Sequence, residues 1–214
     1  MPINTTFREA IHEYLNKGGQ PWSKLGIDIL LGAPTDGIMT TAQQQFLPDN
    51  LMKALDSTSN VSIVMHRSNL YELSTETNKR SFFTPFIFFT LLLVLYGMIC
   101  IAGNKRFSTL ITSLDGLLFF STGLLGVILI FMWIGTDHSM TKNNYNLLWA
   151  LPSHFIFSFF INSRKNWIKK YFLFTAISLV LVMIAWVFLP QQMNNALIPF
   201  VLLLLYRSVS QYLK

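Results

Sequence analysis

Polar and apolar positions divide this chain near residue 81. Up to that point, short amphipathic stretches alternate with Gly, Pro and Asn. Beyond it, apolar runs occupy residues 82–102, 110–134, 147–161, 171–189 and 196–209. A helix that crosses the hydrocarbon core needs about 20 apolar residues, so each run reads as a transmembrane span. In the polar part, Thr6-Phe7-Arg8-Glu9 has capping-box spacing. The helix it opens should run to Asn16 and stop at Gly18-Gly19. Pro21 restarts a helix through Leu31, closed by Gly32 and Pro34. Residues 40–47 and 48–55 read as two more short helices. The β-branched run 61–64, with 70–73 across the turn at Arg67-Ser68-Asn69, reads as a β-hairpin. The expected fold is an all-α integral membrane bundle of about five transmembrane helices (82–214). A small, mainly helical extracytoplasmic segment with a hairpin (1–81) precedes it.

Composition sharpens this division. Charged residues are 12% of the chain, against about 25% in soluble domains. Residues 1–81 carry eight acids and seven bases, whereas residues 82–214 carry two acids and nine bases. Those nine bases cluster between apolar runs, at headgroup positions, so they argue for a lipid surface and against nucleic acid. Lys105, Arg106, Arg164, Lys165, Lys169, Lys170, Arg207 and Lys214 fall on one side of the alternating spans. Lys79, Arg80 and Lys142 fall on the other. The excess of basic loops on the cytoplasmic side therefore places the N-terminus outside and the C-terminus inside. Trp133, Trp149 and Trp186 near the outer ends of spans, and Trp167 near an inner end, are read as an aromatic belt. An external segment of this size calls for an export signal, and residues 1–14 lack the apolar core of one. The expectation is that the chain is the C-terminal part of a longer protein.

Candidate chemistry is sparse. The loop Gly135–Asn146 contains Asp137 beside His138 at a membrane surface. This pair could act as a base or bind a headgroup, or Asp137 and the Asn residues could satisfy helix ends. Asp115 and His154 lie within spans, where ionisable groups are costly and are functional or paired. For Asp115 the partners considered are headgroups or Lys105; for His154, backbone groups freed by Pro152. Cys100, the one cysteine, sits among apolar residues that disfavour the reactive thiolate. There is no metal-ligand spacing among the four His, no G-x-S-x-G elbow and no phosphate-cradling glycine loop. No cofactor is expected.

Several stretches together resemble a known family. They are Thr6-Phe7-Arg8, the run from Trp22 to Asp36 (Gly26-Ile27-Asp28-Ile29-Leu30-Leu31-Gly32-Ala33-Pro34-Thr35-Asp36 at its centre), and Phe46-Leu47-Pro48-Asp49. Thr136-Asp137-His138 and Asn144–Pro152 complete the set. Over most of residues 6–155 the chain resembles the C-terminal portion of Lnb-type lipoprotein N-acyltransferases. These join a periplasmic NlpC/P60-like thiol domain to a membrane domain. The resemblance implies a bacterial inner-membrane protein. It also implies transfer of an acyl chain to a lipoprotein N-terminus by a Cys and a His, with membrane lipids and lipoproteins as partners. That Cys and His belong upstream of Thr6, so no catalytic residue is carried over and this chain alone is expected to be inactive. Arg8 and Asp28 are assigned to the surface supporting the missing site. Asp137, His138, Asn146 and Trp149 are assigned to the face beneath it, and with Arg8 they are the candidate substrate-binding residues. Two alternatives stand beside this reading: a non-enzymatic membrane anchor or scaffold for an extracytoplasmic partner, and a small transporter using Asp115 and His154.

Overall fold

The computed structural model describes residues 5–57, 68, 82–102 and 107–214. The hairpin expected at 61–73 falls, Ser68 apart, outside the described residues. Among the described residues there are eight α-helices, several of them flanked by short 3-10 turns: α1 (Phe7–Lys17), α2 (Pro21–Leu30), α3 (Pro48–Asp56), α4 (Pro85–Ile101), α5 (Ser108–Ile134), α6 (Ser153–Phe157), α7 (Asn166–Ala185) and α8 (Ile198–Leu213). Among the described residues there is no strand, only an isolated antiparallel bridge between Thr6 and Ile38. The protein is an all-α membrane bundle. α5, α7 and the stretch Asn195–Leu213 are long and apolar enough to cross a membrane, and α4 is a shorter apolar helix.

The local signals act as their chemistry dictates. Thr6 Oγ1 accepts from the Glu9 N–H and the Glu9 carboxylate accepts from the Thr6 N–H, completing the capping box of α1. Pro21 and Pro85 open α2 and α4 at positions where a missing N–H costs nothing.

Within the bundle, α7 packs along α8, α4 packs against α8, and α6 lies on α5. Phe119, Leu129, Phe172, Leu179 and Leu204 fill the centre. Large apolar side chains such as Leu117, Phe131, Ile177 and Ile184 stay exposed on the helix flanks, where hydrocarbon would cover them.

The third apolar run differs from the continuous span expected at 147–161. It consists of a 3-10 turn (Tyr145–Leu148), an irregular stretch to Pro152, the five-residue α6, and another 3-10 turn (Ser158–Phe160). Pro152 supplies no N–H and steers Leu151 away from helix. The segment descends along α5 nonetheless. A Cβ added to Gly126 would lie 2.1 Å from the Ala150 carbonyl oxygen, one on Gly123 1.9 Å from the Phe155 nitrogen, and one on Gly116 4.0 Å from the Ser158 carbonyl oxygen. The broken backbone thus presses directly onto a glycine-bearing face of α5. Irregular backbone at membrane depth is tolerated where protein buries it.

The two ends of the bundle are chemically distinct. At one end, α4 finishes, α5 starts and α8 finishes. There Asp115 is fully buried and paired with Arg207, Nε to Oδ1 at 2.7 Å and Nη2 to Oδ2 at 2.8 Å. Tyr96 OH (2.6 Å) and Gln211 Nε2 (2.6 Å) also donate to it. Its closest ion-pair partner among the described residues is thus a cation of α8; Lys105, considered from the sequence, lies outside the described residues. The other end of the bundle carries residues 5–57, so we call it the N-terminal face. Trp149 and Trp186 are buried in the protein and so do not form the lipid-facing belt expected of them. Trp149 is held under the N-terminal face and Trp186 donates to Asn195 Oδ1 at 3.1 Å.

Candidate functional site

The N-terminal face is built around one arginine. Helix α1 presents Arg8 and His12 one turn apart, on the same side. Arg8 is completely buried, and its planar fork is saturated. Nη1 donates to Asp28 Oδ1 (2.8 Å) and Nε to Asp36 Oδ1 (2.8 Å). Nη2 reaches Thr35 Oγ1 (2.8 Å) and the carbonyls of Leu31 (3.1 Å) and Gly32 (3.2 Å). A guanidinium can be buried only when it is paired and hydrogen-bonded in this way.

Asp28 is the second hub. Its Oδ1 also meets His12 Nε2 at 2.7 Å, and its Oδ2 accepts from Asn194 Nδ2 at 2.8 Å. Burial pushes its carboxyl up, but the hydrogen bonds and charge of His12 and Arg8 more than reverse that push. The group is held below its ordinary value and is ionised at neutral pH.

The seam with the bundle follows from the end of α2. A helix leaves its last carbonyls without intrahelical donors, and here the bundle supplies them. Asn146 Nδ2 donates to the carbonyls of Asp28 (3.0 Å) and Ile29 (3.1 Å). Asn144 Nδ2 donates to those of Ile29 (2.8 Å) and Leu30 (3.1 Å). Gln191 Nε2 donates to that of Leu31 (3.0 Å). Gln191 Oε1 in turn accepts the Tyr145 N–H (2.7 Å), and Trp149 Nε1 donates to Asn146 Oδ1 (3.0 Å). Backbone bonds continue the seam, from Gly32 N–H to Met140 O (2.8 Å) and from Ala33 N–H to Asn143 O (3.2 Å). Gly32 is required there, because a Cβ would sit 1.9 Å from the Lys142 carbonyl oxygen.

Of the residues singled out in the sequence, Arg8, Asp28, Asn146 and Trp149 belong to this one network. Asp137 and His138 are exposed on the adjoining loop. His12, Gln191 and Asn194 were not anticipated. His12 had a usable signal, its position one turn after Arg8. Gln191 and Asn194 sit in the polar break that follows Pro190. Asp115 and His154 have separate protein partners: His154 Nδ1 meets Tyr171 OH at 2.5 Å, and Tyr171 OH lies 3.0 Å from Ser153 Oγ.

Chemically, the face is a docked platform that carries no cysteine thiol among the described residues. Cys100 is at the opposite end of the bundle, where Arg207 Nη1 donates to its sulfur at 3.1 Å. Among the described residues no group of three or more His, Cys, Asp or Glu side chains is placed to hold a metal ion.

Comparison with curated proteins and with solved structures finds no match. The family model of the Lnb transmembrane domain matches residues 77–214, nearly two thirds of the chain, and the chain belongs to that family.

Proposed function

We propose that this chain is the membrane part of a lipoprotein N-acyltransferase of the Lnb type and is inactive without a thiol domain. In this reading the N-terminal face lies in the periplasm, on a bacterial inner membrane. It supports transfer of an acyl chain to a lipoprotein amine, and lipids and lipoproteins are its partners. The carrying observation is the family match over 77–214, joined to a seam that hydrogen-bonds the end of α2 to the same bundle. A thiol domain continuing from residue 5 would be held over the point where lipid reaches the protein. Thiolate attack on an ester followed by transfer to the amine needs such placement, since orientation supplies much of the rate. In the same reading Asp137 and His138, exposed at the edge of this face, meet the incoming substrate. Arg8, Asn146 and Trp149 hold the platform beneath it.

The test is expression in a bacterium depleted of its own lipoprotein N-acyltransferase, with lipoprotein N-terminal peptides read by mass spectrometry. The chain alone should leave the amines free. The chain joined to a thiol domain of the family should acylate them. Free amines in both cases would refute the proposal. Lipoproteins that co-purify with the chain yet never gain an acyl group would favour the anchor reading instead.

A further inference from the structure

A cavity of about 390 Å³ lies between the N-terminal segment and the start of α4, outside the docking network's centre. Asn16, Gln20, Lys24 and Asn194 line its polar wall, and Leu15 and Phe86 are among its apolar residues. Lys24 is the one charged residue of the lining. It is half-buried, and its Nζ donates to Asn16 Oδ1 at 3.3 Å. Among the described residues no carboxylate stands within ion-pair distance of it. An ammonium has three donors, so Lys24 has capacity to spare. The charge is not cancelled by a carboxylate and stands at the mouth of the cavity.

The position of the cavity narrows the ligand. α4 enters the apolar bundle at Pro85, and Thr84 and Pro85 form part of the wall. Beside it stands an aromatic group of Trp22, Phe83 and Phe88, with ring centroids 5.6 to 5.9 Å apart. The Trp22 indole N–H donates to the Phe83 carbonyl at 2.9 Å. Trp, a ring with one polar end, collects at the depth of lipid headgroups, and Trp22 is the ring of that kind here. The opening is thus a cationic cleft with apolar walls at headgroup depth, and its volume is within the range of small-ligand sites.

We propose that this cavity binds the phosphate of a phospholipid headgroup. Lys24 supplies the charge, the Asn16 and Gln20 amides surround the phosphate oxygens, and the glycerol end leads out along α4 into the bilayer. The site is independent of acyl transfer and does not rest on that reading.

The test uses the full chain in detergent, titrated with phosphatidylglycerol, with bound lipid counted by native mass spectrometry. Wild type should bind phosphatidylglycerol and not diacylglycerol, which lacks the phosphate. Lys24→Gln should weaken binding about tenfold, the loss of one hydrogen bond to a charged group. Lys24→Arg should stay within about threefold of wild type, and Lys142→Gln, a basic site outside the cavity, should match it. Gel filtration checks that each variant remains folded. Equal binding by wild type and Lys24→Gln would overturn the proposal. So would Lys24-dependent binding of inorganic phosphate with no binding of the lipid.

Discussion

Asn146→Leu should release the N-terminal segment from the bundle without unfolding the bundle itself. The substitution keeps the side chain's approximate shape and removes its polar atoms. Asn146 Oδ1 accepts the Trp149 indole N–H at 3.0 Å, and Trp149 is 1% exposed, so that donor would be left buried and unpaired. Such an orphan costs about 1–3 kcal/mol. The Asp28 carbonyl would keep only a 3.5 Å approach from Gln191, whereas the Ile29 carbonyl would keep Asn144 at 2.8 Å. One near-lost bond and one spared bond add about 1 kcal/mol. The total is about 3 kcal/mol, or ~150-fold in the opening equilibrium at 1.4 kcal/mol per tenfold. The assay is amide hydrogen exchange on the full chain in detergent. The Gly32 and Ala33 amides, which bond across the seam to Met140 and Asn143, should exchange ~100-fold faster, while amides around buried Leu179 in α7 keep their protection. Unchanged exchange at Gly32 and Ala33 would show that Asn146 does not hold the seam. Equal acceleration at Leu179 would show that docking and bundle folding are a single event.

Gly123→Val should prevent the third pass from seating on α5, since even a Cβ would lie 1.9 Å from the Phe155 nitrogen; loss of the gel-filtration peak given by the wild type checks this. Asp115→Leu should destabilise the bundle by about 3–5 kcal/mol, because Arg207 is left buried without its carboxylate, while Asp115→Leu with Arg207→Leu should cost less than either single change. Thermal unfolding followed by tryptophan fluorescence would decide between these outcomes. Lowering the pH should loosen the seam through Asp28: its folded pKa is depressed, so its contribution is fully present above the unfolded value of about 3.9 and is lost as pH falls through the lower folded value. Gly32 exchange corrected for its intrinsic pH dependence should therefore rise only in strong acid; a rise already at pH 6 would assign the switch to another group.

The legible features were those written in local sequence. The Thr6–Glu9 capping box, the Gly18 stop and the proline starts of α2 and α3 act through neighbours three or four residues apart, so the chain displays them directly. The long apolar runs at 110–134 and 171–189 were equally open, because hydropathy alone sets the length of a span. The third pass was not legible in this way. Its apolar content matched a helix, but its path is set by the glycine face of α5 and by Pro152, a contact between segments some thirty residues apart. The resemblance brought Arg8, Asn146 and Trp149 forward as substrate-binding residues, yet apart from the local Trp149–Asn146 bond the bonds that hold them are long-range. Arg8 pairs with residues 20 and 28 positions away, and Asn146 caps a helix 118 positions upstream. Periodicity carries no record of such partners.

The same contrast explains how polar groups are distributed over the bundle. At the end bearing Asp115, a full ion pair is buried, and its carboxylate is bonded by Arg207, Tyr96 and Gln211 from two other helices. Such a cluster ties α4, α5 and α8 together and would lose heavily by any separation. At the N-terminal face most bonds that cross the seam are neutral amides meeting carbonyls; two reach carboxylates, Asn194 Nδ2 to Asp28 Oδ2 and the Gln192 N–H to Asp36 Oδ2, but the charges of Arg8, Asp28 and Asp36 pair within the N-terminal segment itself. Each neutral bond contributes about 1 kcal/mol, so the seam is strong only as a set and can open without stranding a charge in the bundle. Under the proposed acyltransferase reading, a platform that admits a lipid-bearing substrate beneath a docked domain needs this kind of attachment. It is rigid when closed, yet separable at a cost far below that of breaking the ion pair at the other end.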